Sequence, residues 1–180
     1  MKYIRKFNTR AEYENFILTT TAYPNLCLIN DEKIVEYNNT PEPLYVEAIE
    51  DITVSFSNTY EYSMDTFIWT NGDSNTIIPV VAGEKVYFRT SGLSTSTDKG
   101  IGEFTISDGK CNVGGNIMSM TYGDDFVGKT KISTRYQFAG LFKSCVGIVN
   151  AINLFLPATT LAEYCYYSMF EGCTNLTTAP

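Results

Sequence analysis

The sequence predicts a mainly β, α+β chain in three parts: a small strand-helix-hairpin module over residues 1–40, an antiparallel β-sandwich over 43–118, and a partial repeat solenoid over 119–180. Three observations lead there. Apolar and polar residues alternate in short runs through the middle of the chain, turn signals separate those runs, and a pattern of aromatic, Cys and aliphatic residues recurs near the C-terminus at an offset of 28.

Bulk properties narrow the function classes. The 180 residues, 44% hydrophobic and 14% aromatic, are enough to bury a core, and no apolar run approaches the roughly 18 residues that a membrane-spanning helix needs. A folded, soluble chain without membrane insertion is expected. A formal net charge of −7 and the lack of a Lys/Arg stripe argue against nucleic acid as a partner. The N-terminal "MKYIRKFNTRAEYENFIL" carries charges where a secretory signal needs an apolar segment, so export by that route is not expected.

In the first module, "KYIRKF" alternates as a strand. Thr9 and Glu12 fit a capping box, and Tyr13, Phe16 and Ile17 share one helical face. "NLCLI" and "KIVEY" then form a hairpin across "NDE". So small a unit has no deep core of its own, and the expectation is a module that docks onto a neighbour. The two prolines of "NNTPEP" mark its end.

Beyond them the period is two. Ile52, Val54 and Phe56 alternate with polar residues, as do Tyr60, Tyr62 and Met64, then Val86 and Phe88. Turns are expected at "NGDSN" after Trp69, at "AGE" over 82–84, and at Asp108-Gly109, which reads as a hairpin between "EFTI" and "KCNV". The polar "TSGLSTSTDKG" reads as a mobile loop, and the glycines of "CNVGGN" as the exit from the sandwich.

The third region repeats. Residues 136–152 laid on 164–180 give identities at Tyr136/Tyr164, Phe142/Phe170, Cys145/Cys173 and Ala151/Ala179. Phe138/Tyr166, Leu141/Met169 and Ile148/Leu176 are conservative matches, and Phe126–Ile132 reads as a weaker, capping copy of Phe170–Leu176, with Lys129 in place of Cys. Each turn of such a solenoid buries its apolar ladder against its neighbours, and about three turns make a stable stack. The expected ladder is therefore Phe138, Leu141, Phe142, Cys145 and Ile148 on Tyr166, Met169, Phe170, Cys173 and Leu176, with Tyr164 and Tyr167 as ladder or contact surface. The final rung calls for a cover.

At these residues, "LPATTLAEYCYYSMFEGCTNLTTAP" resembles the repeat of BspA-like leucine-rich repeat proteins of gut bacteria and their phages. "FSNTYEYSMD", "VAGEKVYFR" and "GIGEFTISDGKCNVGGNIMSMTYGDDF" resemble the β-rich leader of such arrays, extending the likeness over roughly 44–180. "MKYIRKFNTRAEYENFI" is similar to an N-terminal module of phage structural proteins. The resemblance implies a partial leucine-rich-repeat solenoid. Relatives usually carry many repeats and, at the cell surface, an export signal. The reading is therefore a virion protein assembled in the bacterial cytoplasm, with other virion proteins and copies of itself as partners. The alternative is a bacterial surface adhesin for a host protein or glycan.

Catalysis is not expected. The chain has no histidine, so neither a Ser-His-Asp nor a Cys-His arrangement can be built. The pairs Asp31/Glu32, Glu50/Asp51 and Asp124/Asp125 read as solvated turn residues. Two carboxylates near Asn116 are too few for Ca²⁺, and "CNVGGN" lacks a nucleotide fingerprint. The five cysteines form no CxxC pair and read as small buried side chains, so no cofactor or metal is expected.

Overall fold

The computed structural model describes residues 41–90 and 100–180, together with three strands nearer the N-terminus: β1 (Ile4–Phe7), β2 (Leu26–Ile29) and β3 (Glu32–Val35). The chain divides into two compact units, Met1–Pro41 and Glu42–Pro180. In the first, β2 and β3 pair antiparallel with Cys27 opposite Val35, the hairpin that the sequence predicts, and β1 joins β2 in parallel. The expected helix with Tyr13, Phe16 and Ile17 lies outside the described residues, as does most of the expected loop after Thr90.

The second unit is mainly β, with two antiparallel-rich sheets. Its strands are β4 (Leu44–Ala48), β5 (Ile52–Phe56), β6 (Tyr60–Ser63), β7 (Thr70–Gly72), β8 (Ile78–Val80), β9 (Lys85–Arg89), β10 (Phe104–Ser107), β11 (Cys111–Asn116) and β12 (Ile148–Phe155). A single-turn helix, α1 (Ser119–Tyr122), follows β11. One sheet runs β10-β5-β8 and the other β12-β11-β4-β9-β6-β7.

Period-two alternation builds the interface between these sheets. β5 buries Ile52, Val54 and Phe56, β9 buries Val86 and Phe88, and β10 buries Phe104 and Ile106. Phe88 of the larger sheet meets Phe104 of the smaller one edge-on, 4.8 Å between ring centres, and Phe56 lies 4.7 Å from Phe104. Burying a ring of this size stabilises the fold by about 1.5–3 kcal/mol. Buried Ser119 of α1 pins two strands: its hydroxyl donates to the Phe88 carbonyl and accepts from the Leu44 N–H.

Several local expectations change. In β6 the alternation stops early, because the chain turns at Ser63, whose hydroxyl accepts from the N–H groups of Asp65 and Thr66; Met64 is therefore exposed. Asn71 and Gly72 belong to β7, and the turn falls at Asp73–Thr76. Gly72 is required by packing: a Cβ there would lie 2.5 Å from the Tyr60 ring.

Asp108-Gly109 is not a hairpin. Asp108 does take a left-handed φ of 82°, but β10 and β11 belong to different sheets, so the connection is an arch between layers. Hairpin chemistry reports a tight turn; which strands flank it in a ladder depends on distant partners, here β5 for β10 and β4 and β12 for β11. The glycines of "CNVGGN" likewise sit inside β11. Gly114 leaves room for the Tyr45 ring, and Gly115, at φ 78°, passes against the Pro43 carbonyl.

The expected boundary between 118 and 119 does not separate two compact units. Strand β12, from the repeat region, lies parallel to β11 at the edge of the larger sheet, and one apolar cluster runs from Leu44 to Cys173.

Candidate functional site

Residues 136–152 and 164–180 have the same backbone course. In the first, the N–H groups of Ala139, Leu141, Lys143 and Cys145 each donate to the carbonyl three residues earlier; Tyr167, Met169, Glu171 and Cys173 do the same in the second. Such overlapping turns need a left-handed residue at every fourth position. Tyr136, Gly140 and Ser144 have φ of 56°, 66° and 61°, and Tyr164, Ser168 and Gly172 have 59°, 53° and 78°. Glycine takes that conformation freely, whereas other residues give up roughly 1–2 kcal/mol.

The intervening N–H groups point out of the coil. Those of Tyr136, Phe138, Gly140, Phe142 and Ser144 donate to the carbonyls of Glu163, Cys165, Tyr167, Met169 and Glu171 at 2.7–3.2 Å. Parallel bridges at Lys131/Thr160 and Asn150/Thr178 extend the register to both sides. Side chains follow it. Tyr136 stacks on Tyr164, Phe138 on Tyr166 and Phe142 on Phe170, with centroids 5.0, 5.7 and 5.3 Å apart and planes within 15° of parallel. Arg135–Glu163 and Lys143–Glu171 pair across the step at 3.0 and 3.3 Å.

The stack starts inside the sheets. Phe104 of β10 lies under Phe142 at 5.3 Å and 12°. The N–H groups of Ile101, Phe104 and Cys111 donate to the carbonyls of Gln137, Leu141 and Gly147, so the arch from β10 to β11 is the rung beneath the first coil. Gly147 seats the two together, since a Cβ there would lie 2.5 Å from the Gly109 carbonyl oxygen.

Cysteine has a specific part in this column. The Cys145 thiol donates to the carbonyl of Phe104 and the Cys173 thiol to that of Phe142, at 3.2 and 2.9 Å, each reaching back one rung. Cys111, Cys145, Cys165 and Cys173 are all buried and free. Burial pushes the Cys111 and Cys145 thiols up from 9.0 to about 12 and raises Cys165 and Cys173 in the same direction. Burial thus favours the protonated form, and these side chains pack as small apolar groups, with the Cys145 and Cys173 thiols serving as weak donors.

The two coils differ in burial. Phe138, Leu141, Phe142, Cys145 and Ile148 are fully buried. Of their counterparts, Met169 and Cys173 are buried, while Tyr166, Phe170 and Leu176 are half-buried. Tyr164 and Tyr167 are 47% and 60% exposed and meet edge-to-face at 6.0 Å. Tyr167 therefore stands outside the ring ladder; the position beneath it, Ala139, has no ring to stack on.

The capping copy at Phe126–Ile132 is corrected. It shares a local turn with Phe170–Leu176: the Lys129 N–H donates to Phe126 as that of Cys173 does to Phe170, and Gly128 and Gly172 have φ of 75° and 78°. Its place in the register differs, because Ile132 donates to Thr160 and lies in the same coil as Phe142. The rung that precedes the first coil is Phe104, which the fixed-period comparison missed because it stands 38 residues before Phe142.

Three of the remaining acidic candidates are engaged elsewhere, and Asp31 lies outside the described residues. Asp124 pairs with Arg89, Glu50 with Lys110, and the Asp51 carboxylate accepts the Ala82 N–H. Asn116 accepts the Met118 N–H within its own turn. What remains is the outer edge of the second coil. The N–H groups of Tyr164, Tyr166, Ser168, Phe170 and Gly172 correspond to the five donors of the first coil, and among the described residues no main-chain carbonyl accepts from them, that of Tyr166 turning to the Cys165 thiol.

Comparison with family models, with curated proteins and with solved structures finds no match to this chain.

Proposed function

We propose that the protein is a non-enzymatic structural component of a bacteriophage virion: a head or tail fibre, a decoration protein or a tail-associated protein. The module at residues 1–40 docks it to the particle, and the C-terminal coils present an assembly surface to other virion proteins. In fold terms this reading takes the two packed sheets as a β-sandwich leader and the coils as a partial leucine-rich-repeat solenoid. The observation that carries an assembly role is the Phe104–Phe142–Phe170 column, which runs outward from the core to an edge where exposed Tyr164 and Tyr167 stand beside N–H groups that no main-chain carbonyl of the described residues accepts. Tyrosine suits such a surface, because it supplies large, stiff contact area with a polar tip. The resemblance to BspA-like repeats and to the phage N-terminal module directs that role to a virion.

Mass spectrometry of gradient-purified particles tests this reading. The chain is expected at a fixed copy number per particle, and a reconstruction is expected to place residues 1–40 against the particle. Recovery only from the bacterial envelope would replace it with a second reading, that of a surface adhesin. The exposed pair Tyr164 and Tyr167 favours that alternative, as a platform for a host protein or a glycan.

A further inference from the structure

The two most exposed large apolar side chains among the described residues, Ile68 at 71% and Ile77 at 69%, flank one short strand, β7. A single apolar residue on a surface means little, but these two stand at either end of the same element. The Thr76 N–H donates to the Asp73 carbonyl at 3.0 Å, a tight turn that returns Ile77 to the end of β7, and Ile68 lies two residues before its start. The loop that holds Ile68 outward is fixed by its own hydrogen bonds. The Asp65 carboxylate accepts the N–H groups of Phe67 and Ile68 at 2.9 and 3.0 Å, and the Trp69 indole N–H donates to the Thr66 carbonyl at 3.1 Å. Such a surface loses little conformational freedom when something covers it.

β7 is also an open edge. Of the strands that end the two sheets of this unit, β10 gives its Phe104 N–H to the first coil, β12 is bonded by Thr177 and Thr178, and β8 carries Pro79, which has no N–H to offer. Among the described residues β7 pairs with β6 alone, and it holds neither a proline nor a charge. An antiparallel edge is complementary to itself, because two copies related by a two-fold axis exchange N–H and C=O groups of the same strand. Charge selects the occupant. A two-fold contact sets each patch against its own copy, so like charges meet over much of the surface of a chain with a formal net charge of −7. Thr66 to Gly72 contains no charged residue. Asp73 is turned into its own loop, accepting from the Asn75 N–H and the Thr76 hydroxyl, and Glu61, opposite Asn71, is paired with Arg89 at 2.6 Å.

We propose that β7 is a contact between two copies of this chain, which join antiparallel about a two-fold axis at Asn71 and continue the six-stranded sheet from one copy into the other. Thr70 of one copy then lies opposite Gly72 of the second, Asn71 lies opposite Asn71, and Ile68 and Ile77 of both copies flank the seam. The contact needs only two copies and does not rest on the virion reading.

Sedimentation equilibrium of the full chain tests this. A seam built on one short strand falls at the low end of interface sizes, so a reversible monomer–dimer equilibrium is expected, with dimer forming between about 10 and 500 μM chain. Asn71→Lys and Ile68→Lys each bring like charges to the seam and are expected to weaken association at least tenfold. Their Tm, read at about 1 μM where the chain is monomeric, should match that of the unsubstituted protein and so show an intact fold. Asn71→Cys places two thiols on the axis. With oxidised glutathione it should cross-link copy to copy at least tenfold faster than Ile152→Cys, 61% exposed on β12 at the other end of the sheet, with the unsubstituted chain as background. A chain that stays monomeric over the whole range overturns the proposal, whether the edge is then covered by the protein's own chain, seen as slow exchange of the Thr70–Gly72 amides in the monomer, or left to another polypeptide. Dimers that survive both lysine substitutions, or that cross-link equally through Asn71→Cys and Ile152→Cys, put the contact elsewhere and overturn it as well.

Discussion

The two coils share a backbone, a phase and most of a sequence pattern, but differ in what lies on either side of them. The first is held between Phe104 and Phe170 and is buried through its ladder. The second rests on the first and, among the described residues, has no main-chain acceptor for the N–H groups that match the first coil's donors, with Tyr164 exposed. A repeat is thus an incomplete unit, whose ring and backbone donors are satisfied by the rung that follows. The same residue types contribute core energy in one position and contact surface in the other.

Ring deletions break that comparison most sharply. Phe142→Ala removes a ring contacted on both faces and is expected to cost about 3–5 kcal/mol, whereas Phe170→Ala, stacked on one face only, should cost roughly half as much. Urea denaturation of the two variants gives the ratio, and equal losses would mean that the second coil is as enclosed as the first.

Alkali should weaken the column next. The unfolded Cys111 and Cys145 thiols ionise near 9.0, while their native pKa values stand at about 12. Between those limits the unfolded chain holds fewer protons, so stability is intact below pH 9.0 and declines up to about pH 12, by at most about 1.4 kcal/mol per pH unit and thiol. Tyr60 and Tyr166, raised by burial to about 12, act in the same direction from 10.0 upward. Thiol labelling at pH 8 should reach Cys173, beside the open edge, before Cys145, which should react only on global unfolding. Simultaneous labelling would erase the distinction between the coils.

Smaller effects come from the left-handed positions. Ser168→Gly should stabilise by about 1 kcal/mol, and Gly140→Ser at the matching position should destabilise by a similar amount, read as opposite shifts in Tm. The smallest change expected is Tyr166→Phe. The Tyr166 hydroxyl is buried without a partner and the first coil has Phe138 at that phase, so loss of the oxygen should be neutral or stabilise by up to about 1 kcal/mol. A clear loss of stability would reveal a partner for that hydroxyl.

Much of this architecture was legible in local pattern. The strands at Ile52–Phe56 and Lys85–Arg89 follow from period two, because a half-buried strand must place alternate side chains in the core. The pairs Phe142/Phe170 and Cys145/Cys173 follow from the 28-residue offset, since equal phase brings equal residues into register. Phe104 was hidden by its spacing of 38 residues from Phe142, and the donor edge by being made of backbone, which has no sequence signature. The left-handed row left only a partial trace, with glycine at two of its six positions.

By itself the sequence determined the strand faces, the hairpin of β2 and β3, the repeat and the residues that share its phase, since each depends on side-chain periodicity along one stretch of chain. Only the tertiary structure decided that Asp108-Gly109 spans two sheets, that the arch serves as the first rung, and which way the stack donates its hydrogen bonds. Those features arise from pairing between distant backbone segments, and a peptide group looks the same in the sequence whichever neighbour it finds.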